Sequence, residues 1–168
     1  ALMFLVRLFY TYILRRTPPY YAHYPLWLIF WKPLRKFINV VVIPALPFNT
    51  LRILLYRAIG FKIGKNVFIG MKCYLDDMDP SLTLIEDNVT ISYGCYFACH
   101  GRNQTHTPIR IEEGAYLGMR CTVLSGRSGI FIGRGALIGA ASLVNRSIPE
   151  GATAYGVPAK IRHAGQPA

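Results

Sequence analysis

The first 62 residues contain no aspartate and no glutamate. The whole chain has eight acids against nineteen lysines and arginines, a net charge of +11. Such an imbalance invites a nucleic-acid reading, but its placement argues otherwise. Nine basic residues (Arg7, Arg15, Arg16, Lys32, Arg35, Lys36, Arg52, Arg57 and Lys62) fall in the acid-free stretch, which is also the most aromatic and apolar part. Residues 63–168 carry the other ten against all eight acids. A nucleic-acid binder more often displays its cations on a soluble folded face. Cations interleaved with apolar side chains fit an anionic lipid surface instead, so no nucleic-acid partner is expected.

Cysteine is scarce and badly spaced for metal. The four, at 73, 95, 99 and 121, form no CxxC pair, which excludes a thiolate zinc finger. No disulfide framework is needed either, which fits a reducing cytoplasm. Long uncharged apolar runs are also missing. Residues 1–14 end at Arg15-Arg16-Thr17-Pro18-Pro19, Tyr24 to Trp31 at Lys32-Pro33, and Phe37 to Phe48 holds Pro44 and Pro47. None reaches the roughly 20 residues that cross a bilayer, and Pro18-Pro19, lacking donors, are expected to break the first helix. A secretory signal would put its basic residues before the apolar stretch, whereas here they follow it.

Residues 1–60 are therefore expected to be a helical extension lying in a membrane interface, with Trp27 and Trp31 at headgroup level. Capping of the soluble core, packing against a neighbouring copy, docking on a membrane protein and a true span are the alternatives. The expected location is peripheral, on the cytoplasmic face of a membrane. Residues 50–59 read as an amphipathic helix stopped by Gly60, and residues 61–168 as a separate domain.

That domain is dominated by a six-residue period. It runs through Ile63–Phe68 and Ile69–Tyr74, then Ile85–Thr90 and Ile91–Tyr96, then Ile111–Tyr116 and Leu117–Thr122, then Ile132–Leu137 and Ile138–Leu143. Each hexad opens with Ile or Leu. Its fifth residue is small: Val67, Cys73, Val89, Cys95, Ala115, Cys121, Ala136 and Ser142. Three hexads would close one turn of a triangular coil, with first positions stacked inward and the fifth in a narrow slot. Gly at the second position (64, 70, 118, 133, 139) is expected to supply the corner angles. Cys73, Cys95 and Cys121 then become small buried hydrophobes. The period fails at 76–83, at 101–108 and around Gly126–Gly129, where loops should leave the coil and carry function.

These hexads, the histidine-bearing loop before Pro108-Ile109-Arg110-Ile111, and the ending Asn145-Arg146-Ser147-Ile148-Pro149-Glu150-Gly151-Ala152 with Gly156-Val157-Pro158-Ala159-Lys160 resemble the hexapeptide-repeat acyltransferases over about residues 60–163. The likeness is greatest to sugar O-acetyltransferases of the galactoside, maltose and polysaccharide kinds. The resemblance implies a mainly β fold, a left-handed parallel β-helix, assembled as a homotrimer with acetyl-coenzyme A along the groove between neighbours. It implies that His100 is the catalytic base and that Ala140, Asn145, Arg146 and Lys160 lie around the coenzyme. Met119 stands in the same groove, where the family often has a small polar residue.

Transfer to a hydroxyl needs a base near pH 7, which neutral imidazole supplies. A backbone N–H would hold the oxyanion, and Gly118 is the expected donor. Asp76, Asp77, Asn103 and His106 are expected to touch a glycan or lipid-linked sugar acceptor, the aspartates alternatively orienting His100. Arg146 and Lys160 suit coenzyme phosphates. No metal is expected. A zinc enzyme of the γ-carbonic anhydrase type would need a third histidine, and none lies between His23 and His100. An amine acceptor (a sugar nucleotide or amino acid) and a non-catalytic membrane-recruited scaffold remain as alternatives.

Overall fold

The computed structural model describes residues 2–18, 26–100 and 106–162. His23, Asn103 and His163 lie outside them. The chain divides into two compact units, residues 1–38 and 39–168. In the first, helix α1 (Leu2–Leu8) continues as a wider helical turn over Phe9–Ile13, and α2 spans Leu26–Phe37. Helix α2 runs through Lys32 and Pro33.

The second unit is a parallel β-solenoid of the left-handed hexapeptide kind, about four turns long. Its short strands fall on three faces. The first face stacks β1 (Lys62–Ile63), β3 (Thr83–Ile85), β6 (Ile109–Ile111) and β9 (Ile130–Ile132). The second stacks β2 (Phe68–Ile69), β4 (Thr90–Ile91), β7 (Tyr116–Leu117), β10 (Leu137–Ile138) and β12 (Thr153–Tyr155), with β13 (Lys160–Arg162) antiparallel at its end. The third stacks β5 (Tyr96–Ala98), β8 (Thr122–Leu124) and β11 (Leu143–Val144). First-position side chains from Ile69 to Ile138 and all eight fifth positions are buried, so each turn continues one apolar column.

Corner geometry differs from the expectation in one respect. The left-handed backbone is carried by the fourth residue of every hexad: Asn66, Lys72, Asn88, Gly94, Gly114, Arg120, Gly135 and Ala141 all have φ between 53° and 72°. The second-position glycines answer a different need. A Cβ on Gly118 would sit 2.6 Å from the Ala140 nitrogen, and one on Gly133 would sit 2.4 Å from the Glu150 nitrogen. Those glycines let successive coils approach. Fourth-position turns standardise two corners. The third corner, between the third and first faces, has no such turn. All the breaks in the period leave from it: 76–82, 99–108, 125–129 and 145–147.

An exposed first coil would present unpaired strand groups to solvent. Helices α3 (Ile43–Ala45) and α4 (Asn49–Ala58) cover it. Asn49 brackets β2, its amide donating to the Val67 carbonyl (3.0 Å) and its oxygen accepting from the Ile69 N–H (3.0 Å). Buried Arg52 donates to the carbonyls of Ile69 (2.9 Å) and Leu46 (2.6 Å). Asn39 donates to the Leu75 carbonyl (2.7 Å) and Tyr56 Oη to that of Cys73 (3.3 Å). Gly60, at φ 111°, ends α4 with a paired cap: its N–H reaches the Arg57 carbonyl and the Phe61 N–H that of Tyr56. Arg52→Met keeps the volume but strips both carbonyls of their donor. It should cost about 3 kcal/mol, read as a lower urea midpoint at unchanged m-value.

Candidate active site

Because every irregular loop leaves from one corner, residues far apart in sequence meet there. Asp76, in the loop after coil one, lies one turn away from His100, in the loop after coil two. His100 Nδ1 is 2.5 Å from Asp76 Oδ2. The same oxygen accepts the Cys99 N–H (2.8 Å), and Oδ1 accepts the Met78 N–H (3.0 Å). Asp76 is fully buried, whereas the His100 ring is 47% exposed. A carboxylate oxygen accepts, so Nδ1 is the donor of this pair, and Nε2 lies on the opposite edge of a half-exposed ring.

Asp76 therefore has no oxygen facing outward for a sugar. Of the two roles expected of it, the geometry keeps orientation of His100 and removes direct contact. Asp77 is also buried, and Tyr74 Oη donates to its Oδ1 (3.3 Å). Burial, reinforced by Asp76 and Asp77, pushes the Tyr74 hydroxyl well above the ordinary tyrosine value, so it stays a donor. The Tyr74 ring stacks on Tyr96 at 4.5 Å.

His106 pairs with His100 as an antiparallel bridge at the neck of the excursion and is exposed. Thr107 ties two loops together: its N–H donates to the Cys99 carbonyl at the start of its own loop (2.9 Å), and its hydroxyl lies 2.8 Å from both Ser125 Oγ and the Gly126 carbonyl of the next. The Cys99 thiol is buried against Thr83, and desolvation pushes its pKa up, so it has no thiolate character to offer a substrate.

Gly118 is not the oxyanion donor within this chain. Its N–H donates to the Ile138 carbonyl (2.8 Å) as an ordinary rung between coils. It also lies near a different corner, between the second and third faces, as do exposed Met119 and Ala140. Asn145 and Arg146 are exposed at the His100 corner, and Lys160 is exposed on the terminal hairpin. Sequence reasoning missed Tyr74, Thr107 and Ser125. The available signal was their place, each beside a break in the period at the same corner. Among the described residues, no three His, Cys, Asp or Glu side chains converge as a metal set.

Comparisons with known proteins agree with this architecture. The family described as "Hexapeptide repeat of succinyl-transferase" matches residues 60–97 and 108–146. A provisionally assigned acetyltransferase of Staphylococcus aureus, SACOL2570, is 37% identical over 108 residues, covering 60% of this chain and 53% of its own. The chain thus spans about half the length of that relative. YvoF of Bacillus subtilis, also provisionally assigned as an acetyltransferase, is 27% identical over 136 residues, 79% of this chain and 77% of its own. The hexapeptide-repeat acetyltransferase VCA0836 of Vibrio cholerae, solved with acetyl-coenzyme A, shares the fold at a TM-score of 0.67 and 20% identity, covering 84% of this chain and 91% of that one. The repeats match those of the hexapeptide-repeat acyltransferases, and the fold is the one these proteins share.

Proposed function

We propose that the protein transfers an acetyl group from acetyl-coenzyme A to a hydroxyl of a sugar or membrane-proximal glycan. The observation that carries the reading is the Asp76–His100 pair: a buried carboxylate fixes Nδ1–H and leaves Nε2 exposed. Nε2 takes the acceptor's proton as its oxygen bonds to the thioester carbon. The tetrahedral adduct collapses with cleavage of the carbon–sulfur bond, and the proton passes from Nε2 to the departing thiolate. An ester and free coenzyme A result, with no covalent enzyme intermediate. Kinship with assigned acetyltransferases and a fold shared with a protein solved with acetyl-coenzyme A support the choice of donor.

The site is best completed by a trimer. His100, Asn145 and Arg146 sit at one edge of the prism, and Met119 and Ala140 at another. Only a second copy can bring the second kind of edge to the first, and a ring of such unlike contacts closes with three-fold symmetry. The outward column Phe68, Thr90, Tyr116, Leu137 supplies an apolar face for that contact. In this assembly Arg146 and Lys160 meet the coenzyme phosphates, and His106 is the residue offered to the acceptor.

A thiol-release assay with acetyl-coenzyme A against glycans, lipid-linked sugars, serine and amino sugars tests the reading. Release with hydroxyl-bearing sugars is the expected outcome. Release with amines alone, or with no acceptor, overturns it.

A further inference from the structure

We propose that the protein docks on the surface of an anionic lipid bilayer through the exposed apolar faces of α2 and α4, lying in the interface without crossing it. In α2, Trp27, Phe30, Leu34 and Phe37 are each more than half exposed. Their spacing of three and four residues puts them on one helical face, with Lys32 and Lys36 turned away from it. In the other unit, α4 has the same character. Its inner side buries Arg52, Ile53 and Tyr56 against the coils, while Leu51 and Leu54 point outward beside the exposed Phe48. Val40 and Val41, just before α3, are exposed as well. Soluble monomers rarely leave so many large apolar groups uncovered.

Charge identifies what covers them. Nine cations and no acid accompany these faces through residue 62, Arg52 alone of the nine being spent inside the cap of the coils. Two copies pressed together along such segments would bring like charges together. An anionic headgroup layer instead accepts the cations while the hydrocarbon boundary takes the aromatics. Among the described residues no helix is long and apolar enough to cross a membrane, so the segments lie flat.

The chain's two tryptophans, Trp27 and Trp31, both belong to α2, so intrinsic fluorescence reports this face directly. The full chain should shift its emission to the blue and float with vesicles of phosphatidylcholine plus phosphatidylglycerol, less so at high salt, and weakly with phosphatidylcholine alone. Phe30→Ser with Leu34→Ser should lower the partition coefficient at least about tenfold, and Leu51→Ser with Leu54→Ser several-fold. Circular dichroism and thiol release on a soluble acceptor should match the parent, which separates docking from folding and from the acetyl-transfer reading. No shift with anionic vesicles, or equal binding to neutral ones, overturns the proposal. So does a blue shift that grows with protein concentration without lipid, which would assign the faces to self-association.

Discussion

His100→Ala should lower kcat for acetyl transfer about a thousandfold, with KM for acetyl-coenzyme A changed by less than about threefold. The reason is local. The ring is half exposed, Nδ1 is committed to Asp76, and Nε2 is the basic nitrogen the corner turns outward. Removing it strips the attacking hydroxyl of its base and the thiolate of its proton donor, and leaves the coil core untouched. Alanine also leaves a buried carboxylate without its partner, so a stability loss has to be separated from a chemical one. His100→Gln does that. Its amide can still donate to Asp76 Oδ2, yet it cannot take a proton, so thermal midpoint should recover while the rate stays low. A thiol-release rate in either variant within about threefold of the parent would remove His100 from the chemistry.

The coil was legible because its period is strict and its physics simple. An Ile or Leu at each first position and a small residue at each fifth leave few folds that bury both, and the structure buries them at 0–6% exposure from Val67 and Ile69 onward. The corner lies two positions beyond the glycine that suggested it. Five of the eight fourth positions are Asn or Gly, the residues most tolerant of a positive φ, but Lys72, Arg120 and Ala141 mask the pattern. Glycine at the second position is more conspicuous and serves close approach of the coils.

At the site, His100 was visible because it starts a break in the period. Its tie to Asp76 was legible only as one of two roles open to the aspartates, since loops of unequal length separate the two by 24 residues. Only by counting hexads in pairs, with every break at the third side, does one corner emerge from the sequence. Gly118 is the opposite case. It is a regular hexad residue, and regular residues spend their N–H groups on the next coil.

Asp76→Asn should lower kcat about a hundred- to a thousandfold through orientation of the ring alone, since Asp76 never reaches the substrate. The carboxylate holds three donors: Met78 N–H on Oδ1, and Cys99 N–H with His100 Nδ1–H on Oδ2. An amide has one oxygen, so its NH2 must face donors at one of the two positions. If it faces His100, the ring answers by accepting at Nδ1 and carrying its proton on Nε2, the wrong tautomer for a base. If it faces Met78, the loop loses its anchor and the pair is strained from below. Either way a buried group is left badly matched, and stability should drop by about 2–3 kcal/mol. A purely structural role would lower stability and leave the ring chemistry alone. The discriminating measurement is therefore the ¹⁵N shift pattern of the His100 ring in folded protein below its melting range. A shift from the Nδ1–H to the Nε2–H form, with kcat lost and KM for acetyl-coenzyme A held, assigns Asp76 as the positioning residue. An unchanged tautomer with kcat near the parent value would reduce it to a loop anchor.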